Sequence, residues 1–480
     1  MTHLKAATLL AASALALLPG TVRAQSVQEL QQQINELKAI VAELRANQTQ
    51  AAPAQQHVPE TPKMPPVIAA IPVQEPAKAV TAQAAPAPLQ TAAAGGKPWY
   101  ETIRLRGYTQ FRYSEILSGA ETAPAGQSRL RSVHDSGIGD GRNFTFRRVR
   151  LVLQGNLTDN IAFYLQPDFA TAVSNQSNGE QRENFGQLRD AYVDINVDKD
   201  HAWKLRIGQS KVPFGWENLQ SSSDRLTLDR SDGINSATIS ERDIGIVAYY
   251  TPKRIQDIWN RLSGDGQKLF GNYGAFGIGV YDGQGINRTE QNEHLMQVAM
   301  LTSPFALDAL GDAFRGQVVE IGASAYRNRF QPEVRTSGVS ATPFKDERVG
   351  GHFILYPQPF GIQAEWAWGR GPEFDTASQR IATKDLNGGY VQGMYRIKKF
   401  ALGGELMPYA RWQSYRGGWK SGTNAPRLET NEVELGIEWR PVRALEFTFA
   451  YAHMNRREAD ERRLGRAEGD LFRTQVQWNY

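Results

Sequence analysis

The sequence contains no cysteine, which excludes disulfide staples, thiolate metal centres and cysteine nucleophiles. Beyond its first twenty residues it also lacks any run of eighteen or more apolar residues, which removes the helical kind of membrane protein. A strong charge of either sign is missing. Lys and Arg number 54 against 50 Asp and Glu, and setting aside the 7 basic and 5 acidic residues of 1–97 leaves 47 against 45. Without a basic excess there is no electrostatic footprint for nucleic acid. Catalytic signatures are absent too: there is no G-x-S-x-G, P-loop or H-E-x-x-H, and His3, His57, His134, His201, His294, His352 and His453 are scattered without metal-ligand spacing. Neither an enzyme nor a cofactor is expected. Gly283 and Gly285 read as turn residues, because no helical pattern follows them.

A mean hydropathy of −0.47 is that of a polar chain, yet it leaves one membrane architecture open. In a β-barrel only alternate residues face lipid, so a chain that crosses many times averages out as polar.

What is present falls into four stretches. Residues 1–24 have the grammar of a secretory signal: Lys5, an apolar stretch from Ala6 to Leu18, then Val22-Arg23-Ala24 before Gln25. The alternative, a short N-terminal anchor, is poorly served by an apolar stretch too short to span a bilayer. In residues 25–50, Val27, Leu30, Ile34, Leu37, Val41 and Leu44 recur at spacings of three and four, predicting a short coiled coil, with a solitary amphipathic helix as the alternative. Such a coil needs partner chains held close by something larger, and it offers a contact surface in the periplasm. Residues 51–97 are Ala, Pro and Gln with nine prolines between 53 and 88, an extended linker without the means to form a core.

From 98 to 480 the composition changes to aromatics, glycine and charge, and the segments alternate at period two. Ile103, Leu105, Phe111 and Tyr113 lie on one face, and Arg104, Arg106, Gln110 and Arg112 on the other. Val149, Leu151 and Leu153 alternate with Arg148, Arg150 and Gln154; Val433, Leu435, Ile437 and Trp439 alternate with Glu432, Glu434 and Glu438. A soluble sandwich also alternates. The last segment favours the membrane: Phe472, Thr474, Val476, Trp478 and Tyr480 oppose Arg473, Gln475, Gln477 and Asn479, the pattern of a terminal barrel strand with a final aromatic. Short turns at 157–160 and 441–444 mark one end. Longer polar stretches at 119–142, 171–185, 331–347, 371–387 and 455–469 mark the other, the asymmetry of periplasmic turns and external loops. At roughly 24 residues per strand and connection, the domain predicts an all-β transmembrane antiparallel barrel of about 16 strands.

Several segments carry a family resemblance: Phe146-Arg147-Arg148-Val149-Arg150, Gln166-Pro167-Asp168-Phe169, Leu188-Arg189-Asp190-Ala191-Tyr192-Val193, Gly208-Gln209-Ser210-Lys211-Val212-Pro213-Phe214-Gly215, Glu241-Arg242-Asp243-Ile244-Gly245 and the stretch Gly279 to Asn287. In this order they resemble the phosphate-selective porin O and P family. The resemblance implies a homotrimer of sixteen-stranded barrels in outer-membrane lipid, each with a loop folded inward, here 216–236. That segment is mixed in charge, with Arg225 and Arg230 beside Asp224, Asp229 and Asp232.

The expected function is passive diffusion of small hydrophilic solutes, anions such as phosphate or polyphosphate among them. Guanidinium and ammonium groups along a narrow wet path would select these. The candidate track is Arg104, Arg106, Arg112, Arg148 and Arg150 on the strands, with Lys211, Arg225, Arg230 and Arg242 at the constriction. The bland reading of each is a lumen charge paired with a carboxylate, for which Asp190, Asp194, Glu405, Glu432, Glu434, Glu438 and Glu446 are at hand. A weakly selective porin, or a plugged barrel anchoring the coil, are the alternatives.

Overall fold

In a computed structural model, alternation from Arg104 onward closes sixteen strands into one barrel, each paired antiparallel to its neighbours in sequence. The structure describes residues 98–119, 126, 128, 130, 138, 142–171, 184–235, 242–336 and 338–480. The expected signal, coil and linker of 1–97 lie outside the described residues.

The strands are β1 (Arg104–Ser118), β2 (Arg142–Asn156), β3 (Ile161–Thr171), β4 (Phe185–Asn196), β5 (Trp203–Lys211), β6 (Arg242–Tyr250), β7 (Phe276–Tyr281) and β8 (Met296–Ala306), then β9 (Val318–Phe330), β10 (Phe344–Leu355), β11 (Phe360–Asp375), β12 (Arg380–Tyr395), β13 (Glu405–Gly418), β14 (Arg427–Val442), β15 (Leu445–Ala459) and β16 (Arg466–Asn479). The seam pairs β1 with β16, from Tyr108 opposite Asn479 to Ser118 opposite Asp470. Closure leaves no open sheet edge, the condition for a sheet to sit in lipid. No helix of the described residues is long and apolar enough to cross a membrane.

The period-two reading holds along the wall. Val433, Leu435 and Ile437 are exposed on the outside while Glu432 and Glu438 are buried within. Outward Leu105, Phe144, Phe146, Ile278, Leu301 and Trp368 belong to the same apolar exterior, which in water would be costly and in lipid is not.

Two expectations about connections need correction. Residues 371–387 are no loop, since β11 runs to Asp375 and β12 starts at Arg380, and 455–469 shrink likewise to residues 460–465, since β15 runs to Ala459 and β16 starts at Arg466; polar residues continue both pairings beyond the apolar band. At the opposite end, not every connection is short. Residues 251–275, between β6 and β7, hold the helix Lys253–Gly264, whose Ile258, Trp259 and Leu262 pack toward the interior and whose Ile255 is buried. Their spacing of three, one and three is a helical signal buried in a chain of strands.

The interior is far from empty. Residues 212–235 follow β5 into the lumen and are almost entirely buried, with two four-residue helices, α1 (Trp216–Leu219) and α2 (Asp232–Asn235). The helix Lys253–Gly264, here α3, enters from the other end. Together they build a core inside the barrel: Val212, Phe214, Trp216, Leu219 and Ile234 meet Leu262 and Phe270 against Val247, Met296, Val298, Met300, Val318 and Ile354 of β6–β10.

Candidate functional site

The site is the eyelet where residues 212–235 cross the lumen, and its position follows from how that segment is fastened. Gly215, at φ 85°, turns the chain into α1; a Cβ there would lie 2.9 Å from both Glu365 Oε1 and Ile234 Cγ2. Glu365 of β11 accepts the backbone N–H groups of Trp216 and Glu217 at 2.7 and 3.0 Å. Trp216 Nε1 donates to Glu320 of β9 at 3.1 Å, and Trp259 Nε1 of α3 donates to the other oxygen of the same carboxylate at 2.9 Å. Tyr356 and Thr302 donate to Glu320 as well. One buried acid, satisfied by four donors, therefore ties the inserted segment and the helix at the other mouth to one wall. Farther along, Gly233 rests on the backbone of Gly388 and Gly389 of β12, where a Cβ would come within 2.7 Å of Gly388 C.

The far half of the segment is held by charge. Arg411 of β13 donates to Glu217 at 2.7 Å. Asp232 takes Arg456 at 2.8 Å and the Thr430 hydroxyl at 2.7 Å. Asp229 is shared by three arginines: Arg112 at 3.1 Å, Arg147 at 3.5 Å and Arg473 at 2.5 Å. Burial pushes the Asp229 carboxyl up, but Arg112, Arg473 and Arg147 outweigh it and hold it well below the usual carboxylate range.

Among the nine candidates, Arg104 and Arg106 stand exposed at the mouth where β1 begins, and Arg106 donates to Gln154. The other seven are buried. Three carry strand or loop carboxylates: Arg112 with Asp229, Arg150 with Asp168 at 2.7 Å and Arg242 with Asp190 at 2.8 Å. Two fasten the inserted segment: Lys211, at the end of β5, donates to the carbonyls of Leu219 and Gln220, and Arg230, within the segment, to those of Glu217 and Asn218. Arg148 donates to Gln110 at 2.7 Å and lies within the field of Arg147, Arg225 and Arg150.

Arg147 escaped the sequence reading for a definite reason. Alternation assigns it outward, between Phe146 and Val149. The register of β2 against β1 shifts between Gln110 and Phe111, so that Gln110 faces Arg148 while Phe111 faces Phe146. The bulge places Arg147 opposite no residue of β1 and lets consecutive arginines reach the interior. The doubled Arg147-Arg148 interrupting an apolar alternation was the available signal. Arg411, Arg456 and Arg473 were also left out of the track, although alternation already set Arg473 on the inner face and Arg456 stands in a doubled Arg456-Arg457.

The resemblance segments turn out to interlock. Arg150 meets Asp168, Asp190 meets Arg242, and the Asp243 carboxylate accepts the N–H groups of Gly283 and Gly285 at 2.7 and 3.2 Å. They mark the fasteners between neighbouring strands and loops.

Toward the end where β1 starts, two adjoining cavities open, of about 520 and about 700 Å³. They share Ala162, Asp194 and Asn272, and the larger is lined by Lys204, Asp224, Lys268 and Arg440. The chain after α3 bounds both. Lys268 extends from it across the lumen to Glu438 and Glu446 on β14 and β15, at 2.5 and 3.5 Å.

The sequence profile of the family Phosphate-selective porin O and P matches residues 128–480. Similar solved structures include the outer membrane channel DcaP of Acinetobacter baumannii, with 14% identity over 80% of this chain and 99% of that one at a TM-score of 0.49. Another is Salmonella typhi OmpF in complex with daunomycin, with 11% identity over 79% and 97% at 0.48. The high-pH structure of Pseudomonas putida OprB gives 8% identity over 79% and 95% at 0.45. A search of curated proteins returns no match.

Proposed function

The chain belongs to the phosphate-selective porin O and P family, a porin for passive diffusion across the outer membrane, and on that premise we propose that its eyelet favours small anions. The observation that carries this is the arginine surplus beside the inserted segment. Arg147 and Arg148 both turn inward at the β2 bulge, next to Arg112, Arg150, Arg225 and Arg473, while the neighbouring carboxylates Asp229, Asp168 and Glu434 are already taken up by Arg112, Arg147, Arg150 and Arg473. A low-dielectric constriction concentrates the field of such a surplus, raising the local concentration of anions and repelling cations. Phosphate suits guanidinium groups because two parallel hydrogen bonds match its geometry.

The test is the reversal potential of the purified chain in a planar bilayer across a KCl gradient, with and without millimolar phosphate. A chloride-favouring potential with phosphate reducing the current supports the proposal. Weak selectivity without block favours a general porin, in which the acidic wall of Glu432, Glu434, Glu438 and Glu446 offsets the arginines. No conductance at all favours the anchoring role. The same premise leads us to propose a homotrimer, tested by cross-linking, and a cleaved signal at 1–24 followed by the coil and linker, tested by the mass and N-terminal sequence of the mature chain.

A further inference from the structure

The outer wall of β9–β11 carries a feature that the channel does not use. Strand register arranges its outward side chains in rows. Four successive rows, from Val319, Leu355 and Ile362 up to Ala325, Val349 and Trp368, carry no charge. At about 6.8 Å per two residues they cover about 20 Å of tilted strand, close to the height of a barrel's apolar band. The next row is Arg327, Glu347 and Arg370, and the one beyond sets Arg329 beside Lys345. This is the end joined by residues 331–343, one of the long connections.

Arg370 is held by Asp385 at 2.8 Å. Arg327, Arg329 and Lys345 form no ion pair among the described residues, and Glu347 is the sole acid in register with them. The surplus is local, not a general property of the rim. At the same end of β15 and β16 the outward cations are paired: His453 is bonded to Asp470 at 2.9 Å, and Arg457 and Arg466 both reach Glu429, with Glu468 beside them.

We propose that Arg327, Arg329 and Lys345 form a binding site for the phosphate groups of an outer-leaflet glycolipid, whose acyl chains lie along the four apolar rows beneath. Cations just above an apolar band meet lipid phosphates at the headgroup level, and arginine binds them through paired hydrogen bonds. The assignment needs only that the barrel sit in the outer membrane, so it stands or falls apart from solute selectivity.

The delipidated full chain in detergent, titrated with bisphosphorylated lipid A and followed by native mass spectrometry, tests it. Each cation near an anionic surface contributes a factor of about five. R327Q/R329Q/K345Q should therefore bind lipid A at least about ten-fold more weakly, while dephosphorylated lipid A binds variant and parent alike. Heat-modifiable migration on a gel checks that the variant is folded, and K345Q alone, with a several-fold loss, serves if the triple variant is not. Conductance should be unchanged. Equal lipid A affinity in variant and parent would overturn the proposal, and so would a variant that loses its oligomer while keeping lipid A, which would assign the patch to a protein contact.

Discussion

The two sides of the lumen are built on opposite principles. Against β6–β10 the interior is a packed apolar core, in which Phe214, Trp216, Leu219 and Ile234 of the inserted segment meet Leu262 and Phe270. Against β13–β16, β1 and β2 it is a lattice of ion pairs, with Asp229, Asp232 and Glu217 each reaching arginines of the wall. Apolar packing has no preferred ion but resists displacement, since every lost contact leaves a void. Ion pairs contribute less net stability after desolvation, yet their excess charge remains visible to a passing solute. The dry side therefore fixes where the eyelet is, and the charged side sets the field that a solute meets there.

The largest expected effect comes from breaking the dry side. Trp216→Ala removes a buried indole and its bond to Glu320, a change of about 3–5 kcal/mol for a buried aromatic. Single-channel conductance should rise several-fold and fluctuate, and the thermal midpoint should fall, while the sign of the reversal potential stays the same. Unchanged conductance would mean that the packed side does not hold the segment.

Asp229→Asn attacks the opposite fastening. It leaves Arg112, Arg147 and Arg473 facing an uncharged amide, and removing one partner of a buried ionic cluster costs about 3–5 kcal/mol. Because Trp216 still anchors the other half, the rise in conductance should be smaller than for Trp216→Ala, and anion preference should increase. A larger conductance change than in the tryptophan variant would reverse the division of labour.

Architecture was legible in the sequence because the period-two pattern, joined to a signal-like start and a terminal strand ending on an aromatic, points to a barrel: each outward residue had to suit lipid and each inward one the lumen. Strand number followed from domain length at roughly 24 residues per strand and connection, and the inserted segment from the family resemblance. The filling of the lumen was not legible. Trp216, Trp259 and Glu320 come together from three separate parts of the chain, and no local pattern announces a tryptophan that faces inward. The arginine track was partly visible, since alternation finds Arg112, Arg148 and Arg150 on the inner face. It failed at Arg147, where one bulge overrides the period, and it could not tell fasteners such as Lys211 and Arg230 from groups offered to a solute.

Those surplus arginines give the third prediction. R147Q/R148Q should move the reversal potential toward cations and weaken any block by phosphate, with conductance and thermal midpoint changed little. Arg112 and Arg473 remain on Asp229, so the segment keeps its fastening. A large loss of stability would place both arginines among the fasteners instead.

The smallest effect follows from two aspartates five residues apart on the inserted segment. Partial desolvation in the lumen pushes the Asp224 carboxyl up, against the pull of Lys268 and Arg106, although the residue stands exposed toward the larger cavity. Asp229 is shifted the opposite way by its three arginines. A group with a raised pKa loses its charge first on acidification, so Asp224 should neutralise while Asp229 is still ionised. The clamp contributes in full above about pH 4, the ordinary carboxylate value, and is lost only as the pH falls through the depressed pKa. Between neutrality and about pH 4 the lumen should thus grow more positive without releasing the segment. Anion preference should increase modestly over that window at constant conductance, and Asp224→Asn should show the increased preference already at neutral pH and a flatter profile. A jump in conductance within the window would instead show that acid releases the charged side before it retunes the field, and would move the weak point of the eyelet to Asp229.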